Sequence, residues 1–352
     1  MKNILVSALM KAHNLYWIYR TRKSASVLNT QLTYAEKRAI KNAWGGVNKC
    51  YKTQSRYKKL EHFDADFVCD ECMVPYVLRA LNSKQKAKAY EHKSLYPIIY
   101  SKIPQPKYFV NCINGVFFNS EMNIVSKEEC INILEKEGEF IIKPTHNSAQ
   151  GANVKKAVVS NRKDVIEILD YYGKDFIAQE IVKQSEITKQ FNESSLNTFR
   201  ITTLNINGEA SLCNILFRCG QGNVCVDNGA AGGLMIGVSK EGEYREYGYD
   251  KFYNKHFTTR GGLEFKGIKV PGFDNIVNQV VGWHAKYLPL MGLCGWDIAL
   301  DENNNPVMIE INLFDPGAQF EQLSNGTPLF GNRTKEVIEY IKNKRLQLGD
   351  IL

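Results

Sequence analysis

Gly295-Trp-Asp-Ile-Ala-Leu300 and Val307-Met-Ile-Glu-Ile-Asn312, joined by Asp301-Glu-Asn-Asn-Asn-Pro306, read as a β-hairpin. In the first arm Trp296, Ile298 and Leu300 alternate with Asp297; in the second Val307, Ile309 and Ile311 alternate with Glu310 and Asn312. This is the period of two expected of a half-buried strand. A hairpin symmetric about Asn303-Asn304 sets Asp297 opposite Glu310 on the face away from the apolar set, and Asn312 shares that face. Opposed carboxylates repel by about 0.2 to 1 kcal/mol unless a positive charge lies between them. A hard divalent cation turns that repulsion into binding. Three oxygen donors without nearby sulfur or imidazole favour Mg2+, which keeps waters and takes its other ligands from substrate phosphates. The bland alternative is a solvated hairpin with incidental acids.

Upstream, Glu139-Phe-Ile-Ile-Lys143 reads as a buried strand ending in a lysine, followed by the small polar loop Thr145-His-Asn-Ser-Ala-Gln-Gly151. A helix near Lys127 to Glu135 before it, and a strand at Val154 to Val159, a helix at Lys163 to Leu169 and a strand at Phe176 to Val182 after it, complete a compact α+β module of small-domain size. Lysine at such a strand end can meet phosphates and loop amides can cradle them, although a solvated lysine is the commoner outcome.

Further strands are expected at Thr198 to Leu204, Ala210 to Phe217 and Leu234 to Val238, with helices at Asp274 to Leu288 and Thr334 to Arg345. Before the module, Pro104 and Pro106 break any helix. Tyr108 to Ile113, Asn114-Gly115 and Val116 to Phe118 then give a hairpin signal. Residues 1–90 read mainly as helix, with Leu28, Leu32, Ala35, Ala39, Ile40 and Ala43 at helical spacing and Thr33 before Glu36 as a cap. The expected organisation is a basic helical lobe at 1–90, a linking segment at 91–123, a lid at 124–180, a core carrying the hairpin at 181–332 and a terminal helix at 333–352.

The 352 residues are 44% hydrophobic and 23% charged, which suits a folded chain rather than a disordered or fibrous one. The longest apolar stretches fall short of a membrane span. Met1 to Met10 lack a cleavage pattern, and nine cysteines form an odd, scattered set, so a reducing cytoplasmic compartment is expected. Residues 1–110 hold 20 Lys and Arg against 7 Asp and Glu, and the remainder 25 against 30. That asymmetry suits an anionic partner such as phosphates, an acidic glycan or a lipid surface, or else a Lys-rich helix facing only water.

The order of Lys143-Pro with its small loop, Gln179-Glu-Ile181, Asn197-Thr-Phe-Arg200, Arg218, Val226-Asp-Asn228 with Gly232-Gly233, Gly295-Trp-Asp297 and Glu310-Ile-Asn312 resembles the ATP-grasp superfamily. More closely, it resembles the sugar-transfer-associated ATP-grasp family, over roughly residues 60–330. The resemblance implies an ATP-grasp fold of the α+β class, in which two lobes clamp ATP with Mg2+. It also implies a carboxylate-amine ligase acting through an acyl phosphate in capsule or exopolysaccharide synthesis. On it, Lys93, Lys143, Ser148 and Gly151 meet the phosphates, Gln179, Glu180 and Ile181 line the adenine pocket, and Gln184 or Glu186 sits near the ribose. Asp297, Glu310 and Asn312 hold the metal. Arg200 and Arg218 stabilise charge on the transferred phosphoryl group, and Asn197, Asn228, Gly232 and Gly233 meet the second substrate. Two features depart from the pattern: the loop has one glycine where many relatives have several, and the amino-terminal lobe lacks a Gly-rich strand-turn-helix.

The expected partners are a free or lipid-linked sugar and an amine or amino acid, with no nucleic acid; the oligomeric state stays open. Tyr16, Trp17 and Tyr19 beside Arg20, Arg22 and Lys23 suit either peripheral contact with an anionic inner-membrane face or the core and rim of a helix bundle. Cys69-Asp-Glu-Cys72 has the spacing of half a zinc site without a second half. A sugar phosphotransferase or a non-catalytic nucleotide-regulated module are the competing functions.

Overall fold

A computed structural model describes residues 2–24, 28, 30–45, 47, 51–145, 153–222, 232–314 and 316–344. Two antiparallel sheets organise the α+β chain. The smaller contains β1 (Tyr108–Ile113), β2 (Val116–Asn119), β3 (Ile124–Val125), β4 (Glu139–Pro144), β5 (Lys155–Val158) and β6 (Phe176–Gln179), in the order β3-β2-β1-β6-β4-β5. The hairpin in the stretch read as a linking segment is thus hydrogen-bonded into the same sheet as the lid strands, through β1 and β6. Helices Lys127–Glu137 and Arg162–Tyr172 cover it, burying Ile131, Leu134, Val165 and Leu169 against Phe140, Ile142 and Phe176. A Ser126–Glu129 capping box starts the first of these helices and Asn161 caps the second, satisfying amides that each helix leaves unpaired.

The larger sheet contains β7 (Thr198–Ile206), β8 (Glu209–Cys219), β9 (Leu234–Val238), β10 (Tyr244–Tyr249), β11 (Lys255–His256), β12 (Leu293–Leu300) and β13 (Pro306–Asn312), in the order β11-β10-β9-β8-β7-β12-β13. Phe199, Ile201, Phe217, Trp296 and Ile298 bury against Phe273, Val277 and Val280 of the helix Phe273–Tyr287. At the base of this face His284 is fully buried and bridges two elements. Its Nε2–H donates to the Met291 carbonyl at 2.9 Å, and its Nδ1 accepts from Thr203 Oγ1 at 2.7 Å. Thr203 in turn accepts the Trp296 indole N–H at 2.9 Å. The helix Gln319–Asn325 packs on β8, β9 and β10.

Helices Lys2–Ser24, Tyr34–Ala43 and Lys52–Lys59 precede the sheets, and the expected Thr33–Glu36 capping box is present. Trp44, Val77, Leu78 and Leu81 join Leu204, Leu293, Val337 and Ile338 in a second core. The helical run 70–81 widens to a π-helix over Met73–Leu78, where Pro75 has no N–H to give to the regular ladder. Cys69 and Cys72, the half zinc site of the sequence, are buried thiols, and no cluster of three metal-binding side chains forms among the described residues. No helix among those residues is long and apolar enough to cross a membrane.

Candidate functional site

Strand pairing sets Asp297 of β12 beside Arg200 of β7 on one side and Glu310 of β13 on the other. The register Asp297–Glu310 is the one expected from the hairpin's symmetry. It holds only at the open end, however: Ile298 pairs with Met308, so Ile309 is an extra residue that bulges β13. Ile309 was expected in the apolar core. The bulge instead sends Met308 and Ile311 into the core and leaves Ile309 beside Glu310, lining the cleft.

Asp297 is buried and multiply held. Arg200 grips it with a fork, Nε donating to Oδ1 at 2.6 Å and Nη2 to Oδ2 at 3.2 Å. Arg218 Nη2 lies 3.0 Å from Oδ2, and Asn312 Nδ2 donates to the same oxygen at 3.2 Å. Burial alone would raise this carboxyl, but the two guanidiniums outweigh it and bring the group down to about 2. Arg200 Nη1 also donates to the Pro316 carbonyl at 2.9 Å. Gly295 leaves room for this arm: a Cβ there would stand 2.9 Å from Arg200 Cδ and 2.8 Å from that carbonyl. Glu310 takes a 2.7 Å bond from buried Lys93, at the start of a short 3-10 turn. Next to it, Glu91 accepts the Leu313 and Phe314 amides and fixes the end of β13; burial pushes its carboxyl up to about 7. Sequence reading missed Glu91, although it lies two residues before Lys93.

The lid contributes the opposite wall. Lys143 of β4 is 5% exposed, and its ammonium has no hydrogen-bond or ion-pair partner among the described residues. Burial, with Lys93 nearby, lowers it to about 8. Gln179, at the end of β6, is buried with Oε1 unsatisfied. Just beyond it, the N–H and C=O of Ile181 and Val182 pair with no backbone group among the described residues. Glu180 bonds through its carboxylate to the Lys107 amide at 2.8 Å, so it offers the cleft its backbone rather than its acid.

Three assigned positions read differently in three dimensions. Gln184 spends its amide on Asn192, Ser195 and Asn197. Asn197 was expected to touch substrate, but it is completely buried and bonds to Gln184, Thr188 and Asn192, so it is a clasp for the 184–197 loop. Glu186 is exposed at the cleft rim and pairs with Lys189. Gly232 and Gly233 lead into β9, where Met235 lines the cleft. Ser148, Gly151 and Asn228 lie outside the described residues.

These groups surround one cleft of about 1570 Å3 between the sheets, with Lys143 and Gln179 to Gln184 on the lid side and Arg200, Arg218, Asp297, Glu310 and Asn312 on the floor. A buried cation and a buried acceptor, both unmet among the described residues and facing the oxygens of Asp297, Glu310 and Asn312, fit a triphosphate-bearing nucleotide with a hard divalent metal.

The model of the family described as sugar-transfer associated ATP-grasp matches residues 72–338. The chain belongs to the sugar-transfer-associated ATP-grasp family. Among solved structures, it is similar to an L-amino acid ligase from Bacillus licheniformis, at 14% identity and TM-score 0.38, over 68% of this chain and 43% of that one. D-alanyl-alanine synthetase A from Vibrio cholerae matches at 12% identity and TM-score 0.41, over 74% of this chain and 66% of that one. The D-alanine-D-alanine ligase from Coxiella burnetii matches at 11% identity and TM-score 0.41, over 74% and 59%. This ATP-grasp chain therefore spans about 43% to 66% of the length of these three relatives. No curated protein matches it.

Proposed function

We propose that this family member is an ATP- and Mg2+-dependent carboxylate-amine ligase that joins an amine or amino acid to a sugar-bearing partner during surface-polysaccharide synthesis. The observation that carries the reading is Lys143, a buried ammonium with no hydrogen-bond or ion-pair partner among the described residues, standing across the cleft from Asp297 and Glu310. Leaving a lysine in that state costs stability, and an anionic ligand repays it.

In this reading Lys143 holds the phosphates, Gln179 and the peptide groups of Ile181 and Val182 meet the adenine edge, and Ile309 gives the base an apolar floor. Asp297, Glu310 and Asn312 would hold Mg2+, which supplies charge neutralisation on the phosphates. Arg200 and Arg218 present guanidinium forks where negative charge gathers. A carboxylate oxygen of one substrate attacks the γ-phosphorus and ADP leaves. The amine of the second substrate then attacks the acyl carbon, the C–N bond forms, the C–O bond to phosphate breaks, and the amine gives up a proton. Positioning and electrostatics account for the chemistry without a covalent enzyme nucleophile.

The test is ADP release measured over paired uronic acids, amino sugars and amino acids, with the product weighed by mass spectrometry. A joined product with phosphate release that requires the amine is expected. A phosphorylated sugar, or tight ATP binding with no ADP from any pair, would overturn the ligase reading in favour of a phosphotransferase or a binding module. Asp297→Asn is expected to abolish ADP release, with circular dichroism unchanged.

We also propose a peripheral anionic-lipid contact through the outward face of the helix Lys2–Ser24. Leu15, Tyr16 and Tyr19 are exposed there beside Arg20. Co-sedimentation with phosphatidylglycerol vesicles but not with phosphatidylcholine vesicles is expected.

A further inference from the structure

The cleft is larger than a nucleotide needs, since most small-molecule sites hold about 300 to 1,000 Å3. Its surplus lies in one direction. Across the larger sheet, Glu310, Asp297, Arg200, Arg218 and Met235 come from adjacent strands β13, β12, β7, β8 and β9, and Tyr253 follows β10. Tyr253, just past the end of β10, thus belongs to the part of the sheet beyond Arg218, on the side away from Glu310.

What lines that far end is built rather than left over. The Tyr253 and Phe320 rings stack at 5.3 Å and 15°. Arg56, 1% exposed, lies behind them with its guanidinium 4.6 Å from the Tyr253 ring centre, and its Nη1 donates to the Tyr253 hydroxyl at 2.7 Å. That hydroxyl in turn donates to Gln319 Oε1 at 3.2 Å. Tyr253 itself has φ 68°, a left-handed backbone that costs a bulky residue stability and persists only when its surroundings enforce it. Gln319 Nε2 is buried without a partner among the described residues. The amino-terminal helices close the other side with Trp17, Thr21, Asp70, Met73 and Val74.

Trp17 and the Tyr253–Phe320 stack give this end aromatic surface that suits the C–H side of a sugar ring, while the Gln319 amide donor and Asp70, whose carboxylate lies 3.8 Å from Arg56 Nη1, suit hydroxyls. We infer that the cleft end walled by Trp17, Asp70, Tyr253, Gln319 and Phe320 is the binding site for a pyranose ring of the second substrate. The ring's reacting group points back toward Arg218. This assignment rests on the ligase reading for its direction, and it gives the amino-terminal helices a share of the active site.

Saturation-transfer NMR on the full chain with free glucosamine, N-acetylglucosamine, glucuronic acid and galacturonic acid tests it. Transfer to at least one sugar is expected, with Trp17→Ala and Tyr253→Ala each weakening binding at least tenfold. Affinity for a non-hydrolysable ATP analogue should be unchanged in both. Tyr253→Phe, which keeps the ring, should hold sugar affinity within about threefold. No transfer from any of the four sugars, or transfer indifferent to both alanine variants, overturns the assignment. Sugar binding that survives in a protein releasing no ADP would sink the ligase reading while leaving the subsite standing.

Discussion

The floor of the cleft and its lid wall handle buried charge in opposite ways. On the floor every ionised group has an answering one: Asp297 is held by Arg200, Arg218 and Asn312, and Glu310 by Lys93. On the lid wall Lys143 has no partner and Gln179 keeps an unsatisfied oxygen, among the described residues. The floor is therefore assembled from its own groups, whereas the lid wall would be completed by a ligand. Damage to the floor should appear first in stability, and damage to the lid wall first in affinity.

The largest effect is expected from Arg200→Met, which strips a buried carboxylate of its forked partner and the Pro316 carbonyl of its donor. A loss of about 3 to 5 kcal/mol is anticipated in urea unfolding. Adding Asp297→Asn should recover part of it, because the charge that Arg218 alone then answers goes too. If the single and double variants unfold alike, the floor is not held by this pair. His284 tests the sheet that carries the floor. Burial lowers its imidazole to about 4, so the unfolded chain takes up a proton more readily than the folded one between pH 6.5 and 4. The stabilising contribution is full above pH 6.5 and disappears as pH falls through that window, by about 3 kcal/mol. Unfolding midpoints at several pH values should drop over that window in the wild type and less steeply in His284→Gln.

On the lid wall the signs reverse. Lys143→Met should weaken binding of a Mg2+–ATP analogue by roughly 10- to 150-fold in calorimetry, the value of about 1.5 to 3 kcal/mol for a hydrogen bond to a charged group. The same change should leave the melting temperature equal or higher. A clear drop in melting temperature would mean that the lysine serves the fold. The smallest effect is expected from Gln179→Leu, about fivefold in nucleotide affinity for a loss near 1 kcal/mol, with stability unchanged or improved.

The same contrast explains what could be read from sequence. The opposition of Asp297 and Glu310 follows from alternation and a symmetric turn, because both are local. Lys143 was legible as a strand-end lysine, but its lack of a bonded partner among the described residues depends on how distant strands meet around it. Ile309 was misassigned because a bulge adds one residue where periodicity assumes none. Asn197 was misassigned because its partners are carbonyls of a loop whose path leaves no trace in composition. The pairing of β1 with β6 joins segments more than 60 residues apart, which no local pattern encodes. The aromatic wall escaped notice for a related reason: Trp17, Tyr253 and Phe320 come from three distant stretches of chain.

The bulge at Ile309 gives the cleft a side chain that strict alternation would not place there. Deleting that single residue would leave Met308 and Ile311 facing the core and Glu310 opposite Asp297, because the two strands would then alternate without interruption. The acid would keep its station while the oily patch next to it vanished. In this hairpin the supernumerary residue furnishes the lining and leaves the register of the acids alone.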